Sequence, residues 1–478
     1  MTLFKNWLSR YSLRYIRSLT YMLQATEYNI RDYLKWHFRT KNFNKVEYRK
    51  HLVKTPKAIL IFIIFLIMLI SFYSVVFSLL WLKIGLIKYI FFICILLLVP
   101  YFLAYGIIIP LVLIKIFQLP IEFFIIQKAK QKLKKHKAMK IAIAGSYGKT
   151  SMKEILKTVL SEKKKVAAPL HNYNTLLGIS RFAQTLKGDE EILIFEFGEY
   201  YPKDIKKLCD LVQPSTGIII GINEAHLQKF KKINKTIKTI FELSDFLKEK
   251  PIYVNNENDL AKKNILDNHI VYSRKGINKW TTKDLQTDLF GTNFLLCKEN
   301  ENFKIKTKLL GLHQIGSLMV AIDIAAKLGM PMNQIIQGIA KIKPFEHRLE
   351  LKIDNAGVFI LDDSYNGNPD GVKAVIEFLK LLHNYRRFYV TPGLVEMGSK
   401  TQKIHHTIGV QLAKAKIEKI ILIKSSVTPF IAEGLKDTNY KGEIIWFDDA
   451  LTAFNALQYL TIKDDVVLLQ NDWPDQYA

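Results

Sequence analysis

Cysteine is scarce in this chain: Cys94, Cys209 and Cys297 are the only three among 478 residues. They lie too far apart for a disulfide framework or for the paired spacing of a zinc site, and they suit a reducing, cytosolic setting. There is no internal repeat, which excludes a solenoid or a propeller, and no low-complexity tract beyond one lysine-rich stretch. Acidic residues are also few, 43 against 69 Lys and Arg, leaving a net charge of +26. A nucleic-acid binder carries such an excess, but its placement here argues against one. Residues 1–57 hold thirteen Lys and Arg against three acids, and seven lysines with no acid lie from Lys128 to Lys140. Charge is absent from 25 residues between Lys57 and Lys83 and from 26 between Lys88 and Lys115. Basic segments around uncharged apolar runs form a membrane pattern.

About 20 apolar residues cross a bilayer, so each uncharged run is long enough. A pair of buried core helices is the competing reading and suits these lengths poorly. The first run starts too late and is too long for a signal peptide. Pro100 and Pro110 are expected to kink the second span. Both flanks are basic and the connection is short, so the positive-inside rule puts both ends in the cytoplasm. The expected organisation begins with a basic, aromatic-rich segment over 1–56. Two transmembrane helices follow over 57–118, then a Lys-rich juxtamembrane spacer near anionic lipid over 119–140. The protein is then multi-pass in the cytoplasmic membrane, with everything that follows on the cytoplasmic face. Trp7, Tyr11, Tyr15, Tyr21, Tyr33 and Trp36 make the first segment either a set of amphipathic helices on membrane lipid or a poorly ordered basic tail.

From residue 141 the pattern is α/β. Short apolar runs at Ile141–Ala144, Ile192–Phe197 and Gly217–Ile222 read as buried parallel strands with helices between them. A second series follows at Val358–Leu361, Phe388–Thr391, Ile420–Lys424 and Val466–Gln470. The boundary between the two series falls around Pro344–Arg348. This gives domains at 141–344 and 345–478.

The most informative stretch is IAIAGSYGKTS, Ile141 to Ser151. A strand runs into Gly145, Ser146 and Gly148, and a helix follows Lys149, Thr150 and Ser151. Such a turn aims backbone N–H groups and a helix N-terminus at a phosphate. Lys149 would reach the terminal phosphates, and a hydroxyl of Thr150 or Ser151 would hold Mg²⁺. The general P-loop has four residues between its glycines and this turn has two, so a chance glycine-bearing turn competes. Other strand ends add polar groups where ligands of parallel sheets sit. Glu196 ends one, and Asn223, Glu224 and His226 follow another. Taken singly, Glu196 reads as a solvated charge and His226 as a packed or capping histidine.

Together with further segments, these residues resemble the Mur ligase family of ATP-dependent amide-bond ligases. The segments are GSYGKTSMKE (145–154), HNYNTLLGIS (171–180), EFGEYYPKDI (196–205), INEAHLQKF (222–230), GLHQIGSLMVAIDIAAKLG (311–329), HRLE (347–350), DDSYNGNPDG (362–371) and LVEMG (394–398). The D-alanyl-D-alanine-adding branch is the most similar. The resemblance implies a P-loop parallel-sheet ATPase domain followed by a C-terminal Rossmann-like α/β domain, behind a membrane helical hairpin. It implies ATP and Mg²⁺ as cofactors. ATP phosphorylates a carboxylate, and an amine attacks the acyl phosphate. The implied partners are a cell-wall precursor and an amino acid or dipeptide amine, with other cell-wall enzymes as further partners and no nucleic acid.

The resemblance also implies roles. Lys149, Glu196 and His226 serve catalysis. Thr150, Glu196 and His226 serve the metal. Gly145, Ser146, Gly148, Lys149, Thr150, Ser151, Asn223, Arg348, Asp363, Tyr365 and Asn366 serve the nucleotide, and Asn172, Asn174 and Thr175 the substrate. Asn368 and Pro369 shape the nucleotide-facing loop, although DDSYNGNPDG also suits an ordinary turn.

Three departures stand out. A lysine that the family carbamylates for a second Mg²⁺ is replaced by Ile240, with Lys238 two residues away on the wrong helix face. The family's UDP-binding N-terminal domain is not recognisable, which makes a lipid-linked acceptor a natural expectation. The chain ends in LLQNDWPDQYA without the usual glycine loop. A ligase for another polymer, such as a polyglutamate-like chain, and an ATP-binding scaffold without ligation are the alternatives.

Overall fold

The computed structural model describes residues 7–40, 43, 46, 51–81, 85–170, 173–224, 230, 232–365 and 367–471. The chain divides into two compact units, one from the N-terminal part up to Phe124 and one over Ile125–Trp473.

In the first unit, two helical segments, Pro56–Ser78 and Ile87–Lys135, are long and apolar enough to cross a membrane. The second is interrupted at Ile107, between helices Ile87–Gly106 and Ile108–Lys135. Pro110 falls in the first turn of the latter, where its missing N–H has no intrahelical partner to lose. Pro100 is inside a helix and leaves the Leu96 carbonyl without its usual donor. The Tyr11 hydroxyl donates to that carbonyl, and Trp7 Nε1 donates to the Leu97 carbonyl at 3.1 Å.

Helices Leu13–Ala25 and Ile30–Arg39 begin at side-chain caps from Ser12 and Asn29. The described N-terminal residues are therefore helical rather than a tail. Tyr15, Tyr21, Tyr33 and Trp36 are buried in one cluster with Ile61, Phe65, Leu103 and Ile107. Four of the six aromatic side chains thus pack against the apolar helices, while Trp7 and Tyr11 stay half-buried.

The second unit carries two sheets. The first runs β10-β9-β8-β7-β6-β5-β4-β1-β3-β2. Its parallel part is β1 (Met139–Ala144), β2 (Val166–Ala167), β3 (Ile192–Glu196), β4 (Thr216–Ile219), β5 (Ile252–Asn255) and β6 (Ile270–Ser273). An antiparallel extension follows in β7 (Gly276–Ile277), β8 (Trp280–Asp288), β9 (Gly291–Lys298) and β10 (Glu301–Thr307). Ile141, Ile143, Ile194 and Ile218 face one core cluster, while Ala142, Ala144, Phe195 and Ile219 face another. Burial on both faces is why these strands read as unbroken apolar runs.

Ala129 and Leu133 belong to the second of those clusters. Lys132 Nζ donates to the carbonyls of Gln184 (3.0 Å) and Leu186 (2.7 Å), and His136 meets Glu190 at 3.0 Å. Part of the Lys-rich stretch expected beside lipid is thus packed into this sheet's own layer.

The second sheet runs β11-β12-β16-β13-β14-β15. Its strands are β11 (Glu350–Ile353), β12 (Phe359–Asp363), β13 (Arg387–Thr391), β14 (Lys419–Ile423), β15 (Glu443–Phe447) and β16 (Val466–Gln470). Only β11 is antiparallel, paired to β12 at the edge. The run expected at Gly217–Ile222 ends at Ile219, so Gly221 and Asn223 fall in the loop after β4.

Candidate functional site

The site grows from the carboxyl end of β1, between its parallel neighbours β3 and β4. The chain leaves β1 through Gly145 at φ +146°, and a side chain there would come 3.0 Å from the Gly221 carbonyl. Gly148 sits at φ +71°, with Ile220 Cγ2 3.2 Å from where a Cβ would stand. The Ser146 N–H donates to the Gly221 carbonyl at 2.8 Å. Helix Lys149–Leu160 then starts from Gly148 with no side-chain cap. An uncapped helix start beside a glycine turn presents N–H groups to an anion. The Ser146 hydroxyl is buried and has no hydrogen-bond partner, so it can donate to an acceptor-rich group such as a phosphate.

Lys149 does not point into open space. Its ammonium donates to Glu199 Oε2 at 2.9 Å and Oε1 at 3.2 Å, and to the Gly145 carbonyl. The Thr150 hydroxyl donates to Glu196 Oε2 at 2.9 Å. Asn174 Nδ2 donates to Glu196 Oε1 at 3.4 Å, and Lys153 Nζ stands 3.9 Å from Glu196. Glu196, Glu199, Lys153 and Asn174 are all buried. Oxygen donors from Thr150 and Glu196 side by side suit a hard divalent cation such as Mg²⁺. Ser151 is buried in the first turn of the helix. Thr175 caps helix Leu176–Thr185 by accepting from the Gly178 N–H at 3.2 Å.

The second sheet supplies the facing wall. Asn223 Nδ2 donates to Asn368 Oδ1 at 2.8 Å. Asn368 also caps helix Pro369–Leu381. The Arg348 guanidinium lies 5.1 Å over the Tyr365 ring. Asp363, at the end of β12, accepts from Gln470 Nε2 at 2.7 Å and from the Leu349 N–H at 3.1 Å. Burial pushes its carboxyl up to about 7, against those bonds and Arg348. The chain end also takes part: Asn471 Oδ1 accepts from the Gly367 N–H at 3.0 Å, and the Asn471 N–H donates to the Asp363 carbonyl at 3.1 Å.

A cavity of about 200 Å³ lies between these walls. Tyr147, Gly148 and Ser151 line it from the loop, Tyr272, Arg274 and His313 from the first sheet's side, and Arg348, Asp363, Tyr365 and Asn368 from the second. Burial, then Arg274, lowers the His313 imidazole to about 4, so it is neutral near pH 7.

The loop residues, Glu196, Asn174, Asn223, Arg348, Asp363 and Tyr365 therefore gather around the loop and its cavity. Asn172, His226 and Asn366 lie outside the described residues. Ile240 is buried in the core, Lys238 is exposed, and Glu242 accepts the N–H groups of Lys203 (3.1 Å) and Lys206 (2.9 Å). Both lysines of helix Ile233–Leu247, Lys235 and Lys238, are exposed. Sequence reasoning missed Glu199, Lys153 and His313. All three lie inside segments that carry the family resemblance, 145–154, 196–205 and 311–329, but nothing local singled them out there.

With this geometry in view, the comparisons are specific. The chain matches the Mur ligase middle domain over residues 143–325 and the Mur ligase, glutamate ligase domain over 347–470. The chain belongs to the Mur ligase family, whose members are ATP-dependent ligases. It is 25% identical over 347 residues to the UDP-N-acetylmuramoyl-tripeptide--D-alanyl-D-alanine ligase of Bacillus subtilis, covering 72% of this chain and 75% of that one. The ligase of the same name from Buchnera aphidicola is 27% identical over 288 residues, and the match spans 59% of this chain and 62% of that relative. The MurF ligase of Thermotoga maritima, solved with ADP, superposes with a TM-score of 0.64 at 23% identity, covering 73% of this chain and 80% of that one.

Proposed function

We propose that this chain is a membrane-anchored ligase of the D-alanyl-D-alanine-adding type, acting in peptidoglycan precursor synthesis. It joins the amine of the dipeptide to the terminal carboxylate of a muramoyl-tripeptide precursor and uses ATP to do so. Residues 141–344 form the P-loop ATP-binding domain and 345–478 the Rossmann-like C-terminal domain. The two apolar helical segments hold both at the cytoplasmic face. The acceptor in this reading is a lipid-linked form of the precursor, because two apolar segments would keep the ligase at the membrane surface.

One observation carries the reading: at the carboxyl end of β1, Lys149 pairs with Glu199 and Thr150 with Glu196, beside a cavity lined from both sheets. In the proposed roles, Gly145, Ser146, Gly148 and Ser151 cradle the phosphates and Lys149 contacts the β- and γ-phosphates. Asn223, Arg348, Asp363, Tyr365 and Asn366 bound the nucleotide. Thr150, Glu196 and His226 would hold Mg²⁺, which offsets phosphate charge when bound. Asn172, Asn174 and Thr175 place the acceptor carboxylate. The carboxylate attacks the γ-phosphate, ADP leaves, and the amine then displaces phosphate from the acyl phosphate. The protein's share is alignment and charge neutralisation, which suffice for such steps.

The test is ADP release by the full chain in detergent, with muramoyl-tripeptide acceptors in soluble and lipid-linked form, each with D-alanyl-D-alanine. Release that needs both substrates and is lost in Lys149→Ala supports the ligase. A preference for the soluble acceptor removes the lipid-linked part. Nucleotide binding without release for any pair overturns the ligase and favours the scaffold.

A further inference from the structure

We propose that Lys132 is a positioning residue for the acceptor. It fixes helix Leu176–Thr185 along its axis, and through that helix the loop that meets the acceptor carboxylate. This role rests on the reading above in which Asn172, Asn174 and Thr175 place that carboxylate, and it adds a residue that touches no substrate.

Of the seven lysines from Lys128 to Lys140, Lys128, Lys130, Lys134, Lys135 and Lys137 are exposed. Lys132 is half-buried. It shares a helix face with Ala129 and Leu133, which lie in one core cluster with Ile179, Ala183 and Leu186. Its ammonium donates to the carbonyls of Gln184 at 3.0 Å and of the C-cap residue Leu186 at 2.7 Å. A cation at that place also meets the negative end of the helix dipole. His136, one turn further on, reaches Glu190 at 3.0 Å. The C-terminal end of helix Leu176–Thr185 and the turn after it are therefore seated on residues 129–136.

The other end of that helix opens the acceptor loop. The Thr175 hydroxyl caps it by accepting from the Gly178 N–H at 3.2 Å. A Cβ on Gly178 would stand 3.0 Å from Tyr173 Cα, so the loop lies directly on the first turn and moves with it. Asn174 joins the loop to the end of β3: its carbonyl accepts from the Gly198 N–H at 2.9 Å, and its amide donates to Glu196 at 3.4 Å. Between its ends the helix is held by apolar contacts. Ile179 and Ala183 are buried, and Phe182 meets Phe195 edge-on. The Ser180 hydroxyl and Gln184 Nε2 are buried with no hydrogen-bond partner among the described residues. Apolar contacts are non-directional; they turn the correct face to the sheet and hold the position along the axis less firmly. The directional bonds from Lys132 set that position. A slip of the helix carries Thr175 with it, and a misplacement of about 1 Å can cost about a hundredfold in rate.

The experiment uses the full chain in detergent. ADP affinity is measured by calorimetry. ADP release gives kcat/KM for the muramoyl-tripeptide acceptor that the wild type prefers, soluble or lipid-linked, and KM for D-alanyl-D-alanine. Lys132→Met removes the ammonium and keeps the apolar stem. Acceptor kcat/KM is expected to fall by about tenfold, while ADP affinity and the dipeptide KM stay within about twofold. Lys132→Arg can donate to both carbonyls and should restore most of the loss. Lys134→Met removes the same charge from an exposed position and should leave all three values unchanged. Lys132→Gln keeps a shorter donor and should show a smaller loss of the same kind, which covers a Met variant that does not fold. A merely structural role would lower Tm and leave acceptor kcat/KM where it was. That result overturns the inference, as does a matching loss of ADP affinity or an equal effect of Lys134→Met. Failure of the wild type to ligate, or an unchanged acceptor kcat/KM in Asn174→Ala, overturns the acceptor-loop reading and the role of Lys132 with it.

Discussion

Asn223 and Asn368 are 145 positions apart and meet at 2.8 Å, the amide of one donating to the carbonyl oxygen of the other. The first follows β4 and the second caps helix Pro369–Leu381, so the bond ties the loop side of one sheet to the other sheet's first crossover helix. Replacing either by Ala should lower stability beyond the shared bond, because Asn368 also caps its helix and Asn223 also bonds Asp370. A double-mutant cycle by urea unfolding should give a coupling of about 0.5–1.5 kcal/mol. Strict additivity would show that the bond does not couple the two sides.

Gly148 holds a left-handed backbone at φ +71° with Ile220 Cγ2 close to where a Cβ would stand. Gly148→Ala therefore adds conformational strain of about 1–2 kcal/mol and some crowding. The expected result is a lower Tm and a nucleotide affinity reduced by about tenfold or more, since the strained turn is the one proposed to hold the phosphate. Unchanged affinity would place the phosphate elsewhere.

Glu190 accepts the N–H groups of Lys187 at 2.9 Å and Gly188 at 2.8 Å and contacts His136. Burial raises its pKa, but these bonds outweigh it and hold the carboxyl at about 2. A folded value below the ordinary 4.5 means stabilisation that is present above about 4.5 and lost as pH falls through about 2. Glu190→Gln should cost about 1–2 kcal/mol at pH 7. Its deficit should narrow when urea midpoints are compared at pH 3. A deficit independent of pH would contradict the assignment.

Asp363 behaves in the opposite sense. Burial raises it from 3.8 to about 7. Its contribution is therefore fully present below about 4 and lost as pH rises through about 7. Asp363→Asn should flatten the decline in stability over that window. Wild type and variant falling in parallel from pH 4 to 8 would rule this out.

Much of the fold was legible because burial on both faces leaves no polar alternation: the strands at Ile141, Ile192, Phe388, Ile420 and Val466 announce themselves as apolar runs. The ribbon β8–β10 was not legible. Trp280–Asp288 is largely exposed, so its residues show no run and only local pairing makes it a strand. The loop residues were legible because backbone geometry demands glycine where the chain turns at positive φ. Asn174 was legible as a site residue but not as a partner of Glu196, since that contact spans 22 positions.

Composition and spacing alone were enough to place the charge beside two apolar runs and to mark GSYGKTS as a glycine turn that opens a helix, because both are local properties of neighbouring residues. Which side chains face that turn is a long-range matter. Packing brought Glu199 onto Lys149, buried Ile240 in the core, and let the chain end at Gln470 and Asn471 hold Asp363 and its loop. Such contacts depend on how helices and strands stack across the sheet. No local pattern encodes them, so they appeared only once the chain was folded.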